Sequence, residues 1–143
     1  MTSGRALITT CLLFTAVTLF AQTTPNQRLM TINVPFAFSA EGHVLPAGEY
    51  LVHTVTPERS IRIVSADGKH SAIVNTLPNY ASSPSTNSRL VFHRYGNEYF
   101  LAQVWTGGQN VVRDLVSSKL AMKIAASGGT SETRVVIALA DRR

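Results

Sequence analysis

From Leu29 onward the apolar residues fall on every second position. Met30, Ile32, Val34, Phe36 and Phe38 share one face of an extended segment, which is the period of a strand buried on one side. Pro35 stands on the opposite face, and because proline cannot donate to a ladder this strand is expected at a sheet edge or a bulge. In the following SAEGHVLPAGEY, the run Leu45-Pro46-Ala47-Gly48 fits a type I turn, with proline presetting φ at its second position and glycine at its fourth. Tyr50, Val52 and Thr54 then alternate against Leu51, His53 and Val55 until Thr56-Pro57-Glu58-Arg59 breaks the run. Ser60–Ala66 and His70–Leu77 read as a hairpin around Asp67-Gly68, since both residues tolerate positive φ. Residues 78–88, PNYASSPSTNS, consist almost wholly of loop formers. Arg89–Tyr95 and Glu98–Thr106 form a second hairpin about Gly96-Asn97, a glycine-first pair suited to a type II′ turn.

The period then changes. In Asp114–Ala126, Val116, Leu120 and Ile124 recur every four residues, and the Ala, Leu, Met and Lys content favours a helix. Asp114 suits its N-cap and Gly128-Gly129 its stop. Thr133–Ala140 is a last strand. About seven strands joined mostly by short loops predict a mainly β fold: a single-domain antiparallel β-sandwich or partly closed barrel with one helix in the C-terminal half.

The start of the chain follows another logic. Met1–Arg5 carries one positive charge, Ala6–Phe20 reads ALITTCLLFTAVTLF, and Ala21 precedes a polar stretch that begins at Gln22. This is the order of a secretory signal peptide, and its apolar run is shorter than the roughly 20 residues of a membrane span. The expected division is a signal over 1–21 cleaved near Ala21, a flexible leader over 22–28 and a β-rich domain over 29–143. The mature chain would then be exported to the periplasm or beyond the cell, with no transmembrane segment. Cys11, the only cysteine, lies inside the apolar run; Thr10 before it and Leu12-Leu13-Phe14 after it do not make a lipid-attachment site. The mature chain therefore has no disulfide, thiolate metal site or cysteine nucleophile, and packing alone must hold it. About 120 residues suffice, burying roughly two-thirds of their unfolded surface.

The net charge is +5. Its basic residues are dispersed, and only Arg142 and Arg143 adjoin, so no phosphate-tracking patch forms and nucleic acid is not an expected partner. His43, His53, His70 and His93 make neither an H-x-H nor an H-E-x-x-H pair, which argues against a metal site. Nucleophile-elbow and phosphate-loop signatures are missing, and eight carboxylates scattered along the chain offer no obvious glycosidase pair. A transmembrane barrel wants strands of about 9–11 residues, whereas these run nearer seven.

The densest chemistry lies in LVFHRYGNEYFLAQVW, residues 90–105, which holds the only Trp and two of the four Tyr. With Gly96-Asn97 as the loop, Tyr95 faces Glu98, Arg94 faces Tyr99, and His93 faces Phe100. Continued regularly, that register sets Leu90, Phe92, Arg94, Tyr99, Leu101, Gln103 and Trp105 on one face. Arg89, Val91, His93, Tyr95, Glu98, Phe100, Ala102 and Val104 share the other. His93, Glu98 and Tyr95 could form an acid–base cluster, but ordinary cross-strand pairing at a wet hairpin tip accounts for the same residues. His93, Tyr95, Glu98 and Phe100 are accordingly candidate binding residues, and none is assigned as catalytic. Large apolar residues on both faces imply that one meets the core and the other meets the helix or another molecule.

Two stretches, VPFAFSAEGHVLPAGEYLV (34–52) and LVFHRYGNEYFLAQVW (90–105), together resemble a group of small exported bacterial proteins with no assigned activity. That group pairs a V-P-F-x-F strand and an L-P-A-G-x-Y turn with an F-x-R-Y-G-x-x-Y-F-L hairpin. Val34, Pro35, Phe36, Phe38, Leu45, Pro46, Ala47, Gly48 and Tyr50 match the first part; Phe92, Arg94, Tyr95, Gly96, Tyr99, Phe100 and Leu101 match the second. The resemblance spans roughly residues 30–126. It departs at LAMKIAA, apolar where the group carries a highly charged helix. It implies export and a β fold and assigns no catalytic residue. The leading expectation is thus a non-enzymatic exported β-domain that binds a protein or envelope component without a cofactor. The alternatives are a carrier of a small apolar ligand, with the helix as a lid, and an enzyme of unknown type built on His93 and Glu98.

Overall fold

In the computed structural model, residues 27–116, 119–127 and 132–138 are described, so the expected signal peptide and the Gly128-Gly129 stop lie outside the described residues. The first alternating run forms β1 (Arg28–Val34), which pairs antiparallel with β4 (Gly48–Thr56). Met30, Ile32 and Val34 are buried as their spacing predicts. Gln27 and Arg28, expected in the leader over 22–28, are tied to the sheet. Arg28 already pairs with His53, and the Gln27 carbonyl accepts hydrogen bonds from the Thr54 amide at 2.9 Å and hydroxyl at 3.2 Å.

Pro35 ends β1 instead of sitting within a longer strand. The chain restarts as β2 (Phe38–Ala40) and returns as β3 (His43–Leu45). Glu41 and Gly42, between them, have φ of 48° and 89°, the pair of positive values that a two-residue type I′ connection requires. Beyond β3 the Tyr50 hydroxyl donates to the Pro46 carbonyl four residues back, so the turn is tied to a fully buried ring. β-Sandwich domains use the same device at a tyrosine corner.

The remaining elements are β5 (Ser60–Ser65), β6 (Ser71–Tyr80), β7 (Arg89–Tyr95), β8 (Glu98–Trp105), β9 (Val111–Leu115), α1 (Lys119–Ala126) and β10 (Glu132–Ala138). The described strands form one ten-stranded sheet along β1-β4-β5-β6-β9-β8. There β8 carries β7 and then β10 on one edge; on its other edge, next to β9, a single parallel bridge from Ser39 to Phe100 attaches β2 and β3. All other ladders are antiparallel. The sheet is not closed, although β1 and β10 approach within 8 Å between Cα atoms.

β6 links the two halves. Residues 71–75 pair with β5 and residues 76–80 with β9. The Thr76 amide donates to Arg59 at 2.7 Å and the Ala81 amide to Asn110 at 2.8 Å, which fixes the alternation of the ladder. Pro78 then belongs to a non-hydrogen-bonded pair with Arg113, and its nitrogen points to the side where β5 has already ended. A proline costs the ladder nothing there, so Pro78, Asn79 and Tyr80 are strand where loop was expected. The same parity aims the amides of Ser71, Ile73 and Asn75 away from β5, toward an edge with no paired strand among the described residues. The Glu41 carboxylate caps that edge, accepting from the Asn75 amide at 2.7 Å and the Asn75 side-chain nitrogen at 3.1 Å.

The Asp67-Gly68 hairpin exists but is wider than two residues. Ser65 and His70 close it, and Asp67 accepts from the Ser65 hydroxyl and from the Lys69 amide at 3.1 Å. The helix is shorter than expected, Lys119–Ala126 in place of Asp114–Ala126. β-Branched Val111 and Val112 lead the preceding residues into β9, so Asp114 is a strand residue and not an N-cap. The final strand covers 132–138 against the expected 133–140, beginning one residue earlier, and residues 139–140 lie outside the described residues. Inside the sheet one continuous core gathers Met30, Ile32, Val34, Phe38, Tyr50, Val52, Ile61, Ile63, Val74, Leu90, Phe92, Leu101, Val104 and Leu115. Phe38 meets Tyr50 and Phe92 edge-on at 5.2 and 5.3 Å between ring centroids, the arrangement that aromatic quadrupoles favour.

Candidate functional site

The β7–β8 hairpin turns at Gly96-Asn97, with Gly96 at φ 61° and Asn97 outside the positive region, as a type II′ turn requires. From the turn the expected register holds: Tyr95 with Glu98, Arg94 with Tyr99, His93 with Phe100, Phe92 with Leu101. It then slips. Val91 pairs with Gln103, Leu90 with Val104 and Arg89 with Trp105, because Ala102 is extruded as a β-bulge. One extra residue exchanges the faces of everything beyond it. Val104 therefore joins the core, while Gln103 and Trp105, expected beside Phe92, lie on the outer face.

His93, Tyr95, Glu98 and Phe100 do share that outer face. Phe100 is buried, His93 and Tyr95 half-buried, and Glu98 exposed. The Tyr95 and Phe100 rings meet edge-on at 5.8 Å. Glu98 and Phe100 also border a shallow cleft of about 170 Å³ with Ser39, Val44, Asn97 and Tyr99, whose lining does not include His93 or Tyr95. The four residues are neighbours on one face, and that cleft brings together only Glu98 and Phe100 of them. On the core side of the tip, Arg94 lies over the Tyr99 ring at 5.5 Å and donates from Nε to the Gly96 carbonyl at 2.6 Å. Tyr99 in turn stacks on Phe36 at 3.8 Å, which gives this end of the hairpin a packed base.

The bulge creates a polar network that regular alternation hides. Trp105 Nε1 donates to Gln103 Oε1 at 3.1 Å, Gln103 Nε2 to Asp114 Oδ1 at 2.8 Å, and Asn79 Nδ2 to Asp114 Oδ2 at 3.2 Å. The Arg89 guanidinium sits 4.0 Å from the Trp105 ring centroid and reaches Ser85 Oγ at 3.1 Å. Each group fixes the next, across β6, β9, β8 and β7. The one sequence signal for it is the polar Gln103 beside the tryptophan, on the face that regular alternation gives to the core. Val91, Phe100 and Val112 are buried on the same face at 1%, 6% and 3% exposure, so part of it is shielded although it faces away from the core. Met122 on α1 is 60% exposed.

The histidines are spread over β3, β4, the β5–β6 loop and β7. Among the described residues no group of three or more His, Cys, Asp or Glu side chains lies close enough to hold a metal ion. Among them, too, no helix is long and apolar enough to cross a membrane. Asp67 is held below the usual carboxylate range by the Ser65 hydroxyl first and the Lys69 amide second. Burial raises the Tyr50 phenol, with a smaller push from the charge of Asp67. No protein-family model, curated protein or solved structure matches this chain.

Proposed function

We propose that this chain is an exported, non-enzymatic β-domain that acts by binding a protein or envelope component in the periplasm or outside the cell. The observation that carries the reading is the outer face of β10-β7-β8-β9-β6. One transverse row runs Val136, Val91, Gln103, Asp114, Leu77. Its ends, Val136 and Leu77, are 48% and 60% exposed, and its middle is fixed by the Gln103–Asp114 hydrogen bond. Tyr95, Phe100 and Trp105 stand beside it. Aromatic and apolar anchors around immobilised polar groups are what a preorganised interface needs. The shallow cleft at Glu98 gives much weaker support to acid–base chemistry, which works best in a water-excluded pocket.

Within this reading the sheet is a partly closed barrel, supported by the approach of β1 to β10. Phe38, Tyr50 and Phe92 fill its middle, so a carrier of a small apolar ligand has less support. Two measurements test the proposal. The intact mass of the exported protein should correspond to a chain beginning at Gln22. Native mass spectrometry of that material should show a second macromolecule, lost when Leu77→Asp and Val136→Asp are combined. A small apolar adduct retained by both forms would replace the binding module with the carrier.

A further inference from the structure

Arg113 belongs to the core face of β9, the side opposite the network just described. It is 5% exposed, between the side chains of Val104 on β8 and Pro78 on β6. Its Nε is buried without a hydrogen-bond partner. Among the described residues its one hydrogen bond runs from Nη1 to Thr106 Oγ1, at a long 3.4 Å. Burial pulls the guanidinium below its ordinary value, and the charge of Glu58 pushes it back up. A cation taken out of water needs a counter-charge and filled donors, and here neither requirement is met by direct contact.

Beside it is an opening. Where β5 ends and β6 continues, the Pro57–Arg59 turn and the Asn75–Pro78 stretch enclose a cleft of about 480 Å³. Thr76 clamps the turn, donating from its amide to Arg59 at 2.7 Å and from its hydroxyl to Glu58 at 3.0 Å. Glu58 is held at a φ of 61°, a conformation a non-glycine residue keeps only when its surroundings impose it. Arg113 itself does not line the cleft; Pro78 does, and it is Arg113's partner in a non-hydrogen-bonded pair, the closer of the two antiparallel spacings. Arg59, exposed, adds a second guanidinium at the mouth.

We propose that Arg113 anchors a carboxylate-binding site entered through this cleft. With Nη1 turned to Thr106, the side of the guanidinium left over is the edge formed by Nε and Nη2. Two parallel N–H groups on that edge match the two oxygens of a carboxylate. Pro57, Leu77 and Pro78 supply the apolar part of the cleft's lining, so the ligand is a small organic acid with a short aliphatic or aromatic body. Glu58 is the competing charge: it partly neutralises Arg113 at a distance and yields to a ligand that makes direct contact.

The test is thermal unfolding of the mature chain in sodium acetate and sodium butyrate, against sodium chloride at equal ionic strength. Both carboxylates should raise the melting temperature saturably, butyrate at several-fold lower concentration. Arg113→Met should melt no lower than wild type in chloride, because an apolar side chain replaces an uncompensated ion, and should lose the response. Glu58→Gln should keep the response with a midpoint several-fold lower. An equal rise in Arg113→Met overturns the site. So does the lack of a carboxylate-specific rise in both wild type and Glu58→Gln, a result that stands even if Arg113→Met fails to fold. A rise with inorganic phosphate and none with acetate or butyrate also overturns it.

Discussion

Phe92 and His93 are adjacent in sequence and opposite in circumstance. Phe92 is fully buried and meets the Phe36 and Phe38 rings edge-on at 5.1 and 5.3 Å, while the His93 ring is on the half-buried outer face. Phe92→Ala should cost about 3–5 kcal/mol, and His93→Ala less than about 1 kcal/mol, the scale of a cross-strand pair. Urea midpoints of the two variants check this, and equal large losses would contradict the assignment of faces. Asp67 gives a pH-dependent counterpart. Its folded pKa is lowered by the Ser65 hydroxyl and the Lys69 amide, so the folded state binds its proton less readily than the unfolded state. The stability it contributes is present above the unfolded value and is lost as pH falls through the folded one. Stability measured from neutral pH into acid should fall less steeply for Asp67→Asn than for wild type; parallel curves would show that Asp67 is not coupled to folding.

At the scale of elements, legibility followed how local the determining interactions are. The alternation at Met30–Val34 and the Gly96-Asn97 turn are set by a few consecutive residues, and both stood in the sequence. β2 and β3 are three residues each and too short for a period to register. Only the end of β9, Asp114 and Leu115, reads as helix, because the four-residue repeat from Val116 masks their strand character, while Val111–Arg113 carry too short a pattern to register as an element. β6 was cut short because Pro78 reads as a breaker unless the direction of its nitrogen is known, and only the ladder shows that. The outer-face network was illegible for a related reason: a bulge leaves no compositional mark. Ala102 is the extruded residue, so its deletion should restore regular pairing without moving Gln103 or Trp105 off the outer face. The expected cost is within the roughly 0.5–3 kcal/mol of ordinary single changes, and the near-ultraviolet circular dichroism of Trp105 should persist. Loss of that signal would mean that the stack under Arg89 depends on the bulge.

For the whole molecule the governing fact is that both halves of the sheet share β6 and one core. Val74 and Thr76, two residues apart on that strand, are buried where it passes from β5 to β9. Neither half can lose its packing without exposing the other, so unfolding should be a single cooperative step, with calorimetric and van't Hoff enthalpies equal. A calorimetric trace resolving two transitions would show that the halves are separable. The same shared strand has an unguarded stretch. The ladder side of Ser71–Asn75 that no described strand occupies carries no lysine or proline, and Ile73 beside it is 58% exposed. Natural sheets blunt such margins to prevent chains from zipping together. Here the sentry is one acidic side chain, Glu41, reaching over from the β2–β3 turn to occupy the Asn75 amide. Glu41→Ala should leave the monomer folded and make it self-associate with rising concentration, visible by light scattering. Colloidal behaviour in this protein would then rest on a contact that contributes little to the fold itself.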